Sequence, residues 1–173
     1  GQLDAIGRPP MTTFVAPGRL YSIEITKPWT VQLTDHPYEI HFVPNGDGNP
    51  TLSITRVEVP AGARPRLLAL NAIESRLQKL PSYQLIGKND VTVGGYPGTS
   101  LVITYAYQGN IEYPRAIEEL YLVVAEEAFV FHFDFFQPVA PNYADDLTRL
   151  YQSFVAHPAA SSEHLFESKK SSE

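Results

Sequence analysis

A chain of 173 residues with 43% apolar side chains is long enough for one domain with a real core, burying roughly 70% of its extended-chain surface. A net charge of −6 argues against nucleic acid or an anionic membrane surface as the main partner. There is no cysteine, which excludes disulfides, thiolate metal sites and cysteine nucleophiles, and no apolar run approaches the roughly 20 residues that span a bilayer.

Residues 1–19 have no hydrophobic period and are broken by proline and glycine. They read as a flexible leader, the place where a lipid tether would attach. The first residue is Gly1, and the expectation is that any export signal has been removed. Alternation then begins: Tyr21, Ile23 and Ile25 face one way and Ser22 and Glu24 the other, which predicts a half-buried strand over 20–26. Lys27-Pro28-Trp29 ends it, with Trp29 expected to pack over one end of the core. Three more strands are expected at 30–34, 39–44 and 51–59. The loop at 44–50 resembles a calcium loop only loosely, because its spacing stops at Pro50 without a closing glutamate.

Residues 65–80 read as a helix. Pro65 suits its first position and Pro81 stops it. Leu70, Ile73, Leu77 and Leu80 form an apolar stripe, and Arg76 and Lys79 complement the dipole of the last turn. Strands at 83–93 and 98–108 flank Gly94-Gly95, a pair suited to the positive φ angles of a tight hairpin. Leu101, Ile103, Tyr105 and Tyr107 are expected on one face of the second strand. Two long strands follow at 115–124 and 128–137, joined by a short polar turn, and the second sets Phe129, Phe131, Phe133 and Phe135 at the strand period of two. These four strands form an antiparallel meander. A second helix at 141–155 carries Tyr143, Leu147, Leu150, Tyr151 and Phe154 on its apolar face, with Asp145 and Asp146 favoured in its first turn. Residues 157–173 read as a mobile tail, leaving 20–156 as the domain.

Three short stretches resemble the PsbP-like family: Tyr21-Ser22-Ile23 running to Pro28-Trp29, Val91-Thr92-Val93-Gly94-Gly95-Tyr96-Pro97-Gly98, and the closing Ser153-Phe154. This group includes the extrinsic photosystem subunit PsbP, Ran-binding transport factors of the same fold, DcrB-like proteins and bacterial lipoproteins. The resemblance spans about 20–154. It implies an α+β fold, with an antiparallel meander between helical layers in an α/β/α sandwich. It implies no catalytic residues.

The chemistry-bearing residues agree with a non-enzymatic domain. The five histidines lack a tight ligand spacing, no serine sits in a GxSxG elbow, and Glu118 and Glu119 must point to opposite faces of their strand. No cofactor is expected. Two surfaces remain. One is aromatic, with Tyr96, Tyr105, Tyr107 and Tyr113 as candidate binding residues in the meander. The other is the polar strand face holding His132 and Asp134, which His41 could join to bind zinc or manganese. The first expectation is an accessory protein that binds another protein, exported and possibly lipid-anchored in a bacterium. The alternatives are a small-molecule- or metal-binding protein using the His132 face, and a cytoplasmic location.

Overall fold

The computed structural model describes residues 10–44 and 49–159. The first nine residues of the expected leader, the heart of the 44–50 loop and residues 160–173 of the expected tail lie outside the described residues.

The strands run β1 (Met11–Val15), β2 (Tyr21–Thr26), β3 (Thr30–Leu33), β4 (Glu39–Val43) and β5 (Thr51–Glu58). Helix α1 (Pro65–Ser75) precedes β6 (Gln84–Val93), β7 (Tyr96–Ala106), β8 (Pro114–Val124) and β9 (Glu127–Phe136). Helix α2 (Ala144–Ser153) and the two-residue β10 (Val155–Ala156) close the domain. The main sheet has seven strands in the order β3-β4-β5-β9-β8-β7-β6, every neighbouring pair antiparallel. The meander from β6 to β9 is therefore as the sequence predicts. Gly94 and Gly95 turn its first hairpin at φ +59° and +85°, the left-handed region that favours glycine.

One face of this sheet builds the main core. Phe129, Phe131, Phe133 and Phe135 meet Ile40, Phe42, Leu52 and Ile54 from neighbouring strands, together with Leu147, Leu150 and Phe154 of the α2 segment. Trp29 is buried in the same cluster. The outer layer on this side also holds a small sheet, β1-β2-β10, so it is not purely helical. Helix α1 lies on the other face over β7 and β8, where Ala69, Ala72 and Leu77 pack against Leu101, Ile103, Ile117 and Tyr121.

Three expectations change at this level. Met11–Val15 is not leader but a strand, paired with β2 from Met11↔Thr26 to Val15↔Ser22. It gave no signal because Thr12 and Thr13 are both exposed and Phe14, edge-on to Phe42 at 5.3 Å, is its main anchor. The helix at 65–80 ends at Ser75. Arg76 leaves helical geometry (φ −133°, ψ −59°), and a short 3₁₀ turn, Leu77–Lys79, completes the segment. Its contact face is set by Ala69 and Ala72, whose small side chains let the helix lie close to the sheet, whereas Leu70 of the expected stripe is 39% exposed. At the other end of the chain, residues 157–159 are tied down rather than loose: His157 N–H donates to Leu20 O at 3.0 Å, and Arg19 Nε donates to Pro158 O at 2.9 Å.

Candidate functional site

A broad concavity opens where β7 hands over to β8. Strand β7 ends at Ala106, and a tight loop follows in which Gln108 and Gly109 take φ of +52° and +79°. The loop is closed by its own backbone. Tyr107 N–H donates to Tyr113 O at 3.0 Å, Tyr113 N–H donates to Asn110 O at 3.0 Å, and Glu112 N–H donates to Asn110 Oδ1 at 3.0 Å. These bonds hold the Tyr107 and Tyr113 backbones side by side at the rim, with the side chains about half exposed.

Below them the sheet supplies the floor. Tyr105, Arg115 and Phe136 are directly opposed across β7, β8 and β9, and Asp134 and Thr51 are opposed across β9 and β5. All five line a cleft of about 860 Å³, together with Tyr107, Gln108, Asn110, Tyr113 and Asn49. Arg115 Nε donates to Asp134 Oδ1 at 2.7 Å, and its Nη2 donates to Asn49 O at 3.0 Å. Tyr105 Oη donates to the second Asp134 oxygen at 2.7 Å. The Arg115 guanidinium also lies 6.0 Å from the Tyr107 ring centre, within cation–π range. Burial, reinforced by the Asp134 carboxylate, raises the Tyr105 phenol above its ordinary range, so it stays a donor. The cleft is aromatic and amide-lined, and its one ion pair cancels its charge.

A second constellation lies deeper on the same sheet face. Glu119 is 1% exposed. Its carboxylate accepts from Arg76 Nη2 at 2.9 and 3.1 Å, from the Tyr121 hydroxyl, and from His132 Nδ1 at 2.5 Å. Burial alone would raise its pKa, but the bonds from His132, Arg76 and Tyr121 outweigh it and bring the group down to about 2. The neighbouring Glu118 points to the opposite face, as strand geometry requires, and there burial raises its carboxyl.

No protein-family model matches the chain, and no curated protein matches it. Solved structures do. Cyanobacterial PsbP (CyanoP) from Synechocystis superposes with a TM-score of 0.62 at 11% identity, over 90% of this chain and 98% of that one. This is a PsbP-like fold. LpqN of Mycobacterium tuberculosis, described as involved in cell envelope biogenesis, gives 0.59 at 17% identity, over 86% and 91% of the two chains. The Saccharomyces cerevisiae Ran-binding protein Mog1p gives 0.61 at 7% identity, over 86% and 96%. Identities this low establish the PsbP-like architecture and leave the site to be read from its own residues.

Within that architecture the candidate tyrosines divide. Tyr105, Tyr107 and Tyr113 meet in the cleft. Tyr107 does so from the loop and not, as alternation suggested, from the face of β7, because the strand stops one residue earlier. Tyr96 sits at the far end of β7, where its ring meets Phe154 edge-on at 5.9 Å and its hydroxyl accepts from Ala156 N–H at 3.3 Å. It is a packing residue. His132 and Asp134 share a face as expected but serve different partners, Glu119 and Arg115. His41 Nε2 lies 3.2 Å from Glu39. Among the described residues no group of three or more His, Asp or Glu is placed to hold a metal ion.

Arg115, Phe136 and Asn49 were not singled out from sequence. A signal existed for Arg115 and Glu119: both fall on the parity of Ile117 and Tyr121 along β8, charged residues where apolar ones are the norm. The sequence places Arg76 where it complements the helix dipole, and its reach to Glu119, 43 residues away, is purely tertiary.

Proposed function

We propose that this chain is a non-catalytic accessory domain that binds another protein through the Tyr105–Tyr107–Tyr113–Arg115 cleft. The observation that carries this reading is the cleft's composition. Tyr107 and Tyr113 stand at the rim over a floor of Tyr105, Phe136 and the Arg115–Asp134 pair, whose acid and base are already committed to each other. Tyrosine and arginine are the residues enriched at the energetic centres of interfaces, and paired rim aromatics lose little rotamer freedom on binding. The neutral floor suits an uncharged, apolar or aromatic segment of the partner. Ile111 at the loop tip is 78% exposed and extends the contact area beyond the rim. Export into a cell envelope, with a lipid tether ahead of the domain, is the setting we propose. The structural likeness to LpqN supports it, and the likeness to Mog1p keeps a cytoplasmic setting as the competing one.

The test is site-specific photo-crosslinking in the native host. A crosslinker at position 113 or 107 should trap one defined protein, and one at Lys88 on the edge strand should not. Tyr107→Ala with Tyr113→Ala should weaken that partner's binding by at least tenfold, the loss expected for removing about 1.4 kcal/mol or more at an interface centre. A double variant that is folded and binds the partner as the native protein does would refute the cleft reading.

A further inference from the structure

The main sheet ends on one side at β3, four residues long, and on the other at β6, ten residues long. Strand β7 pairs with one edge of β6, and among the described residues no strand pairs with the other edge. Neither helix shelters that edge: α1 packs over β7 and β8, and α2 packs on β2. A long open row of N–H and C=O groups is a template for a further strand. Apolar side chains are exposed beside it, Leu85 at 46% and Ile86 at 60%.

Sheet edges are commonly guarded by a lysine or by a bulge, and β6 has both: Lys88, and a register shift between Leu85 and Gly87. Asp90 changes what this guard permits. Lys88 and Asp90 lie opposite Leu101 and Thr99 of β7, so both project from the face that carries α1. Arg66 of α1 lies 3.7 Å from Asp90 on that side. Two copies of β6 can pair symmetrically in the antiparallel sense about a two-fold axis perpendicular to the sheet, which sets one residue of β6 opposite itself. With Lys88 or Asp90 on the axis, like charges face each other, which is unfavourable. Only with Asn89 on the axis does Lys88 of each copy face Asp90 of the other, giving two cross-strand ion pairs. The Asn89 amide is donor and acceptor at once, so it can meet its own copy on the opposite face. Gly87 then faces Val91. Beyond the bulge, Ile86 and Leu85 come beside Thr92 and Val93 of the second copy, which covers their exposed side chains.

We propose that two copies of this chain join through β6 with Asn89 on the two-fold axis, making one continuous sheet with seven strands from each copy. The occupant is a second copy because the charge pattern of this edge is complementary to itself. No residue of β6 lines the tyrosine cleft, so pairing leaves both clefts open.

The test is sedimentation velocity of the full chain, from low micromolar to about 1 mM, the weak end of specific association. Hydrogen exchange is followed at the β6 amides in the same samples. A concentration-dependent dimer should appear, with exchange slowed within residues 87–91. Lys88→Asp sets acid against acid across the axis and should weaken the dimer at least tenfold, and Asp90→Lys sets base against base with a similar loss. Mixed in equal amounts, the two variants should pair with each other, and a chain carrying both changes should dimerise as the native chain does. Asp90 also accepts from Thr99 Oγ1 at 3.1 Å, so if Asp90→Lys fails to fold, Lys88→Asp decides alone. A photo-crosslinker at position 88, outside the cleft, should join two copies of this chain. A monomer at every concentration, a dimer that Lys88→Asp leaves unchanged, or a crosslink from position 88 to a different protein would overturn the proposal.

Discussion

On one side of β9, Phe129, Phe131, Phe133 and Phe135 are all buried, each against other rings or aliphatic chains. On the other side Val130, His132, Asp134 and Phe136 are all half-buried, and three of the four engage the polar network or the cleft. The same ten residues thus serve two purposes. The aromatic side is closed by α2 and the small sheet, and its energy comes from apolar burial and edge-on ring contacts, such as Phe131 with Phe154 at 5.3 Å. The other side is covered by α1 only over β7 and β8. The uncovered strands show polar side chains such as His41 and His132 to solvent, and the cleft, whose lining includes no residue of α1, opens at the end of β7 and β8. A sheet face need not be uniformly core or surface, and in this molecule the chemistry sits at the edge of the helix's cover.

The contrast can be broken first on the aromatic side. Phe131→Ala removes a fully buried ring from the centre of the main core and should cost about 3–5 kcal/mol, read from the urea midpoint. A loss below about 1 kcal/mol would mean the core is far looser than its packing implies. The polar side should answer to pH instead. Glu119 normally titrates near 4.5 and is held at about 2 in the fold, so its ionised form stabilises the folded state. That contribution, roughly 3 kcal/mol, is fully present above pH 4.5 and is lost as pH falls towards 2. Urea unfolding at pH 7 and pH 3 should show the drop, and Glu119→Gln should be less stable at pH 7 while losing much of the acid dependence. An unaltered acid limb in that variant would show that other carboxylates set it. The smallest effect sharpens the comparison at the adjacent residue. Burial raises the Glu118 carboxyl, so ionising it opposes folding, and Glu118→Gln should slightly raise stability at pH 7 where Glu119→Gln lowers it. The opposite signs at neighbouring positions are the check, and a loss at both would remove it.

Much of this was legible in the chain. The period-two phenylalanines, the Gly94-Gly95 hairpin and the strand openings required only local rules, because a strand buried on one face writes its register into alternate residues. Tyr96, Tyr105, Tyr107 and Tyr113 were legible as an aromatic group in the meander, and Tyr105, Tyr107 and Tyr113 line the cleft. Their meeting point was not. Phe136 and Asn49 reach the cleft through pairings of β9 with β8 and β5 that no local pattern encodes. Strand β1 was silent because an edge strand that buries little leaves almost no period.

By itself, then, the sequence determined the antiparallel meander, its aromatic core face and the helix that closes it. These depend on side-chain periodicity and turn chemistry, and both act over a few residues. Only the tertiary structure decided which charges find partners. Arg76 meets Glu119 across 43 residues, Arg115 meets Asp134 across 19, and His132 leaves its sequence neighbour Asp134 for Glu119 across 13. A buried ion pair is fixed by which strands lie side by side, and strand order is settled by the packing of the whole core, with no single segment deciding it.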